Sequence, residues 1–188
     1  MLMRYQYLIK KYLINKLILI SLLFAANASA LPIGMSFSKM QIIKDPAHLK
    51  GYHASISYFP KSLIWQKNMV FFDASFSRWW LTYSTKNRSL NIYSLSPVFR
   101  HYFQQRSWIS PFIQLGIGLS WLTQTRLDKH NLGMHFTFQD RIGAGISFGP
   151  KRRFSLIAEM MHYSNASLSA NNGGITAPLV FTAEYKFD

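Results

Sequence analysis

The sequence predicts an all-β fold: an eight-stranded antiparallel transmembrane β-barrel behind an N-terminal signal peptide. Three observations predict it. After the first 30 residues, hydrophobic windows alternate apolar and polar instead of repeating every 3.6 residues, which is the period of strands. Several windows are longer than the five or six residues usual in soluble sheets, a length suited to a tilted bilayer crossing. Clusters of Pro, Gly, Asn, Asp and basic residues separate the windows and supply turn geometry.

The leader is read first. Arg4, Lys10, Lys11 and Lys16 precede an apolar run, Leu17 to Ala26, which leads into the small-residue site Ala28-Ser29-Ala30. That is the order of a secretory signal. The run is about half of what a membrane-spanning helix needs, so residues 1–30 are set apart and 31–188 are read as a single barrel domain. Strands are expected at about 33–42, 51–60, 68–83, 89–103, 109–125, 133–148, 153–164 and 176–187. The breaks include "DPAHLK", "PKSLIWQK", "TKNR", "QQRS", "LDKHN", "GPKRR" and "NNGG".

Composition narrows the function. The chain has no cysteine, which excludes a disulfide-stapled domain and thiolate chemistry. Past residue 30 there are 17 Lys and Arg against 7 Asp and Glu, a balance that favours anionic partners. An exported chain rarely meets nucleic acid. A phosphate-rich membrane surface such as lipopolysaccharide suits the charge and the 16% aromatic content, and solvated loop charges account for it equally well. An eight-stranded barrel is filled by side chains and leaves no aqueous pore. Gly116 and Gly118, and Gly143 and Gly145, fall at period two, as a curved wall or a crowded interior requires; no helix follows them to make a phosphate-cradling loop. Nothing has metal-ligand spacing, and His101, His130 and His135 read as girdle or loop histidines.

Strand seven orients the wall. Its odd positions carry Ser155, Ile157, Glu159, Met161 and Tyr163, and its even positions Phe154, Leu156, Ala158, Met160, His162 and Ser164. A charge facing lipid is costly, so the face with Glu159 is assigned to the interior and the even face to lipid. In a bacterial outer membrane both termini are periplasmic. The loop after strand seven is then extracellular, and His162 and Ser164 lie on the lipid-facing surface near the outer leaflet.

Residues two apart on a strand share a face, so His162 can take the proton of Ser164 and make it a nucleophile. Asn165 follows with an amide donor suited to an oxyanion. The pair alone is weak evidence, because His53-Ala54-Ser55 repeats the spacing on another strand, and such pairs are more often polar surface than catalysis.

The stretch "HYSNA" (His162 to Ala166), followed by Asn172 and the pair Gly174-Ile175, resembles the C-terminal active-site hairpin of the PagL-type lipid A 3-O-deacylases. The resemblance continues upstream through "SLSPVF" (Ser94 to Phe99), "PFIQLGIG" (Pro111 to Gly118), Thr125-Arg126, "NLG" (Asn131 to Gly133) and "FQDRIGAG" (Phe138 to Gly145), about half the chain. It implies an eight-stranded outer-membrane barrel with a Ser-His-Glu triad on its lipid-facing exterior, hydrolysing the ester-linked acyl chain at position 3 of lipid A. It makes Ser164 the nucleophile, His162 the general base, and Asn165 and Asn172 the oxyanion donors, with no metal or cofactor.

The sequence departs from that pattern where the family's glutamate would stand, fourteen residues after the histidine: the residue there is Thr176. None of the other acids offers an obvious replacement. Glu159 has the opposite parity, Glu184 and Asp188 lie toward the far end of strand eight, and Asp45, Asp73, Asp128 and Asp140 are on other strands or loops. The Thr176 hydroxyl, or the side-chain oxygen of Asn171 or Asn172, remains to accept from the imidazole. Gln139, where the family usually has glutamate, lies outside the triad.

The expectation is therefore a slow outer-membrane serine esterase whose substrate is lipid A of lipopolysaccharide, with basic residues such as Lys86, Arg88, Arg126 and Lys129 near the rim to meet phosphates. Outer-membrane lipids are its other partners, nucleic acid is not, and a homodimer is compatible with this reading. The rivals are an inactive structural or adhesive barrel, which the missing Glu favours, and a lipid A acyltransferase, for which no acceptor-site feature is found.

Overall fold

Eight long antiparallel strands follow one another around a closed ring in the computed structural model, which describes residues 32–42, 49–83, 87–105 and 108–187. They are β1 (Ile33–Ile42), β2 (Leu49–Tyr58), β3 (Asn68–Leu81), β4 (Ser89–Tyr102), β5 (Ile109–Leu122), β6 (Phe136–Phe148), β7 (Phe154–Ser164) and β8 (Ile175–Phe187). Each pairs with its neighbours in sequence, and β8 pairs with β1 to close the barrel. Closure leaves no strand edge to template another chain. The expected leader, residues 1–30, lies outside the described residues.

The expected strands are all present, and their ends differ for local reasons. The second strand spans 49–58 instead of 51–60: Pro60, with no N–H to donate, opens a 3-10 turn at Lys61–Leu63, and Ile64–Trp65 folds back on Asn68 and Met69. The fifth stops at Leu122, short of 125. The sixth begins at Phe136, not 133, because Arg126–Leu127 and His130–Asn131 form a small ribbon of their own and Gly133 turns at φ +80°.

Burial alternates along the long strands, broken in β8 at Pro178–Leu179 where a bulge shifts its register with β7, and the faces are inverted relative to a soluble protein. Phe181 is 64% exposed whereas Asp73 is 2% exposed. Leu95, Leu115, Ile117, Leu119, Ile142 and Leu156 cover the exterior. Apolar surface this continuous is stable against lipid and not against water. On β7 the odd residues face in and the even ones out, as Glu159 requires.

The interior is layered. At the rim from which the β1–β2, β3–β4, β5–β6 and β7–β8 links leave, Met40, Leu49, Trp79, Leu132, Met161 and Tyr163 belong to one apolar cluster. At the other rim Phe59, Met69, Phe71 and Val98 form a second. Between them lies a polar layer in which buried cations meet carboxylates. Arg141 Nε and Nη2 donate to Glu159 at 3.0 and 3.1 Å, and its Nη1 to Asp73 at 3.2 Å. Arg100 pairs with Glu184 through two bonds of 2.8 and 2.9 Å and stacks 4.1 Å from the Phe112 ring centre. The period-two glycines make room for this layer. Gly116 stands across from Arg141, Gly118 from Gln139, and Gly143 from Gln114. A Cβ on Gly143 would lie 2.5 Å from that of Glu159.

Candidate active site

The end of β7 carries the candidate residues, and the apolar layer behind it holds them. Met161 and Tyr163 point inward and are buried, so His162 and Ser164 between and beyond them point out, each half-buried. Tyr163 is fixed at both sides of its hydroxyl. Gln139 Nε2 donates to it at 2.8 Å, and Ser77 Oγ lies at 3.3 Å. Gln139 thus has a structural place: its Oε1 also accepts from Ser96 Oγ at 2.7 Å.

Strand register settles what surrounds the imidazole. On one side His162 is paired directly with Thr176 of β8, and His162 Nδ1 lies 2.7 Å from Thr176 Oγ1. Of the three acceptors considered from sequence, threonine is the one bonded to the ring. Gly174 lies above it; a Cβ there would come 3.1 Å from His162 Cε1. On the other side His162 is paired directly with Asp140 of β6. Asp140, set aside above for being on another strand, is the cross-strand neighbour on the same outward face, where Cβ atoms stand about 5 Å apart. It is half-buried among Phe138, Ile142 and Ile117, and among the described residues it has no hydrogen-bond or ion-pair partner. Glu159 and Glu184 face inward and are committed to Arg141 and Arg100. Nothing in the residue spacing of one strand announces Asp140; only the offset between β6 and β7 does.

The loop from Asn165 to Gly174 caps the site and rests on the β5–β6 link. Asn165 is fully buried. Its Nδ2 donates to Leu132 O at 3.1 Å and Asn171 O at 2.7 Å, and its backbone N–H to Asn172 Oδ1 at 3.0 Å. Gly173 N–H donates to Asn131 O at 2.9 Å. Gly133 lies beneath, where a Cβ would collide with the Asn171 carbonyl. Ala166 and Ser167 take positive φ values of 50° and 63° to turn the loop back. The amide donors of Asn165 are thus spent on the loop, whereas Asn172 is exposed and its amide nitrogen makes no hydrogen bond among the described residues. Ser164 Oγ is likewise unbonded among them.

The second His-x-Ser pair sits differently. His53 and Ser55 are on β2 facing inward, both buried, with His53 Nδ1 2.9 Å from Ser77 Oγ and Ser55 Oγ donating to Asp73 at 2.6 Å. Parity alone makes one pair interior packing and the other an outward-facing site.

Below His162 the barrel exterior is concave. A groove of about 720 Å³ runs over Ala144, Ala158 and Ala183, walled by Leu156, Phe37 and Phe181. Ala158 is four residues down β7 from His162, about 13 Å at the usual strand rise.

With this geometry in view, comparison with known proteins is decisive. A family profile described as lipid A 3-O-deacylase (PagL) matches residues 51–181. The chain belongs to the PagL family. Its similarity to the lipid A deacylase PagL of Pseudomonas aeruginosa is 42% identity over 88 residues, which spans 47% of this chain and about half, 49%, of that relative's length. The crystal structure of the outer membrane enzyme PagL superposes with a TM-score of 0.68 at 27% identity, covering 81% of this chain and 98% of that one. The crystal structure of Neisserial surface protein A matches at a TM-score of 0.54 and 13% identity, over 82% of this chain and 96% of that one, a likeness of fold alone.

Proposed function

We propose that this chain is an outer-membrane serine esterase that removes the ester-linked 3-O-acyl chain of lipid A in a Gram-negative bacterium, with its site facing the outer leaflet. The observation that carries the reading is the pair His162 and Ser164 on the barrel exterior, with Nδ1 of the imidazole held by Thr176 at 2.7 Å. That bond supports the reading: in the tautomer whose Nδ1–H donates to Thr176 Oγ1, Nε2 bears the lone pair and serves as the base.

Ser164 Oγ attacks the ester carbonyl carbon as its proton passes to His162 Nε2. The oxyanion is met by the free amide N–H of Asn172, with Asn165 holding that asparagine in place through its backbone N–H. Collapse breaks the bond to the sugar oxygen, which takes the proton back from the imidazolium. Water then attacks the acyl-serine, losing its proton to the same nitrogen; the bond from Ser164 Oγ to the acyl carbon breaks, Oγ takes that proton back, and free fatty acid leaves. Thr176 orients the ring without charge, and the neighbouring Asp140 carboxylate supplies a negative field for the imidazolium. The groove over Ala144 and Ala158 is apolar and open to the leaflet, so the acyl chain lies along it without leaving a hydrophobic environment.

The test is product analysis on purified, refolded protein with lipid A. Free hydroxy fatty acid that disappears in Ser164→Ala supports the hydrolase. A heavier acylated acceptor identifies a transferase instead, and unchanged lipid A with folded protein leaves only a scaffold.

A further inference from the structure

On the wall opposite β7, strand register assembles cations and aromatic rings into two adjacent outward-facing rows. Tyr52, Arg78 and Asn91 are consecutive cross-strand partners from β2 to β4, and Lys39, across from Tyr52 on β1, lines the groove below His162 instead. One step nearer the rim, Lys50, Trp80 and Ser89 are partners from β2 to β4. The hairpin bond from Leu81 N–H to Arg88 O, 2.9 Å, brings Arg88 beside them. Tyr52 and Trp80 pack with ring centres 5.1 Å apart, and Arg78 Nη1 donates to Asn91 Oδ1 at 3.2 Å. Tyr52, Arg78, Trp80, Arg88 and Ser89 line a concavity of about 440 Å³.

We infer that this concavity is a second, non-catalytic site for a phosphorylated glycolipid of the outer leaflet. Three observations converge on it. The first is charge: inside the barrel Arg100 and Arg141 each have a carboxylate, whereas Lys50, Arg78 and Arg88 make no ion pair among the described residues. The second is depth: Arg78 is three residues in from the end of β3, about 10 Å along the strand and less along the membrane normal once tilt is allowed for. That is the level of headgroup phosphates, where a lipid-facing cation is compensated by the lipid instead of penalised by hydrocarbon. The third is chemistry: planar guanidinium groups bind phosphate through paired N–H donors, and Tyr and Trp are suited to the boundary between headgroup and acyl chain. The site lies at the same rim as Ser164, three to four strands away around the ring. It rests on the outer-leaflet orientation proposed above and not on the esterase chemistry.

The experiment uses Ser164→Ala protein, which binds without turnover, and native mass spectrometry from micelles containing bis-phosphorylated lipid A as the probe. Two lipid A molecules per barrel are expected. Adding Arg78→Gln and Lys50→Gln should leave one, with affinity at the lost site down at least about tenfold, the worth of one charge-assisted bond; phosphatase-treated lipid A should give the same loss. Unchanged retention in the folded double-Gln variant, or displacement of the lipid by inorganic phosphate alone, overturns the inference. So does a parallel fall in deacylation when the two Gln substitutions are placed in the Ser164 chain, since the rows would then belong to the substrate site. Absence of deacylation in every variant leaves the lipid count unaffected and counts against the esterase alone.

Discussion

At the scale of single residues, the proposed esterase divides the two tasks of a triad acid between two side chains. Thr176 Oγ1 lies 2.7 Å from His162 Nδ1, where it would hold the tautomer, and Asp140, directly across the strand pair from the ring, would supply the charge. Replacing Thr176 by Val removes the acceptor and should lower kcat about five- to thirtyfold, the worth of one hydrogen bond in this setting, measured as fatty acid released per minute. Thr176→Glu restores acceptor and charge together and should raise kcat at least about tenfold, below the roughly 10⁴ that a triad acid is worth. The charge of Asp140 is tested by its dependence on that background. Two unit charges about 6 Å apart interact by about 3 kcal/mol at an effective dielectric constant near 20, and partial exposure reduces this. Asp140→Asn should therefore cost about tenfold in the native chain and much less when Glu stands at 176. An equal loss in both backgrounds would assign Asp140 to substrate contact instead.

At the scale of elements, the β5–β6 link and the β7–β8 loop act as one support. Gly133→Ala drives a methyl group into the Asn171 carbonyl and should displace the loop that presents Asn172. Activity should fall at least about tenfold, as a small misplacement of reacting groups does, while the barrel still folds by circular dichroism. How much of this was legible beforehand follows from the same geometry. Strand identity and parity were readable because period-two alternation with one interior charge, Glu159, assigns both faces of β7 at once. The ends of β2, β5 and β6 were not, because they depend on a 3-10 turn after Pro60 and on a ribbon at Arg126–Asn131 that local alternation does not encode. Thr176 was one of three candidate acceptors, named from its place in the family hairpin; that it stands opposite His162 is set by the register of β7 and β8. Asp140 was missed because its neighbourhood is set by the register between β6 and β7. The commitment of the Asn165 side chain to the loop was hidden for a similar reason, since its acceptor Leu132 lies on a different link.

At the scale of the whole molecule, the barrel is an inverted protein whose rigidity comes from a charged middle layer. Arg141→Ala would leave Glu159 and Asp73 buried without their cation. Breaking a buried pair in this way costs about 3–5 kcal/mol, so the urea midpoint of the refolded barrel should drop sharply. Lys151→Ala, at an exposed position in the link between β6 and β7, should leave that midpoint nearly unchanged. The exterior meanwhile presents two different walls at one rim: a His-Ser site above an apolar groove, and a cationic aromatic lattice three to four strands away. Both fit the proposed substrate, which would arrive by lateral diffusion in the leaflet.

The most direct test of the central claim is mass spectrometry of lipid A from membranes of cells expressing the native chain, Ser164→Ala, His162→Ala and Thr176→Glu at matched levels. Loss of one 3-O-hydroxyacyl chain with the native protein, no loss with either alanine variant and greater loss with Thr176→Glu is the result predicted. Unchanged lipid A in both the native and Thr176→Glu strains, with the barrels folded in the membrane, would contradict it.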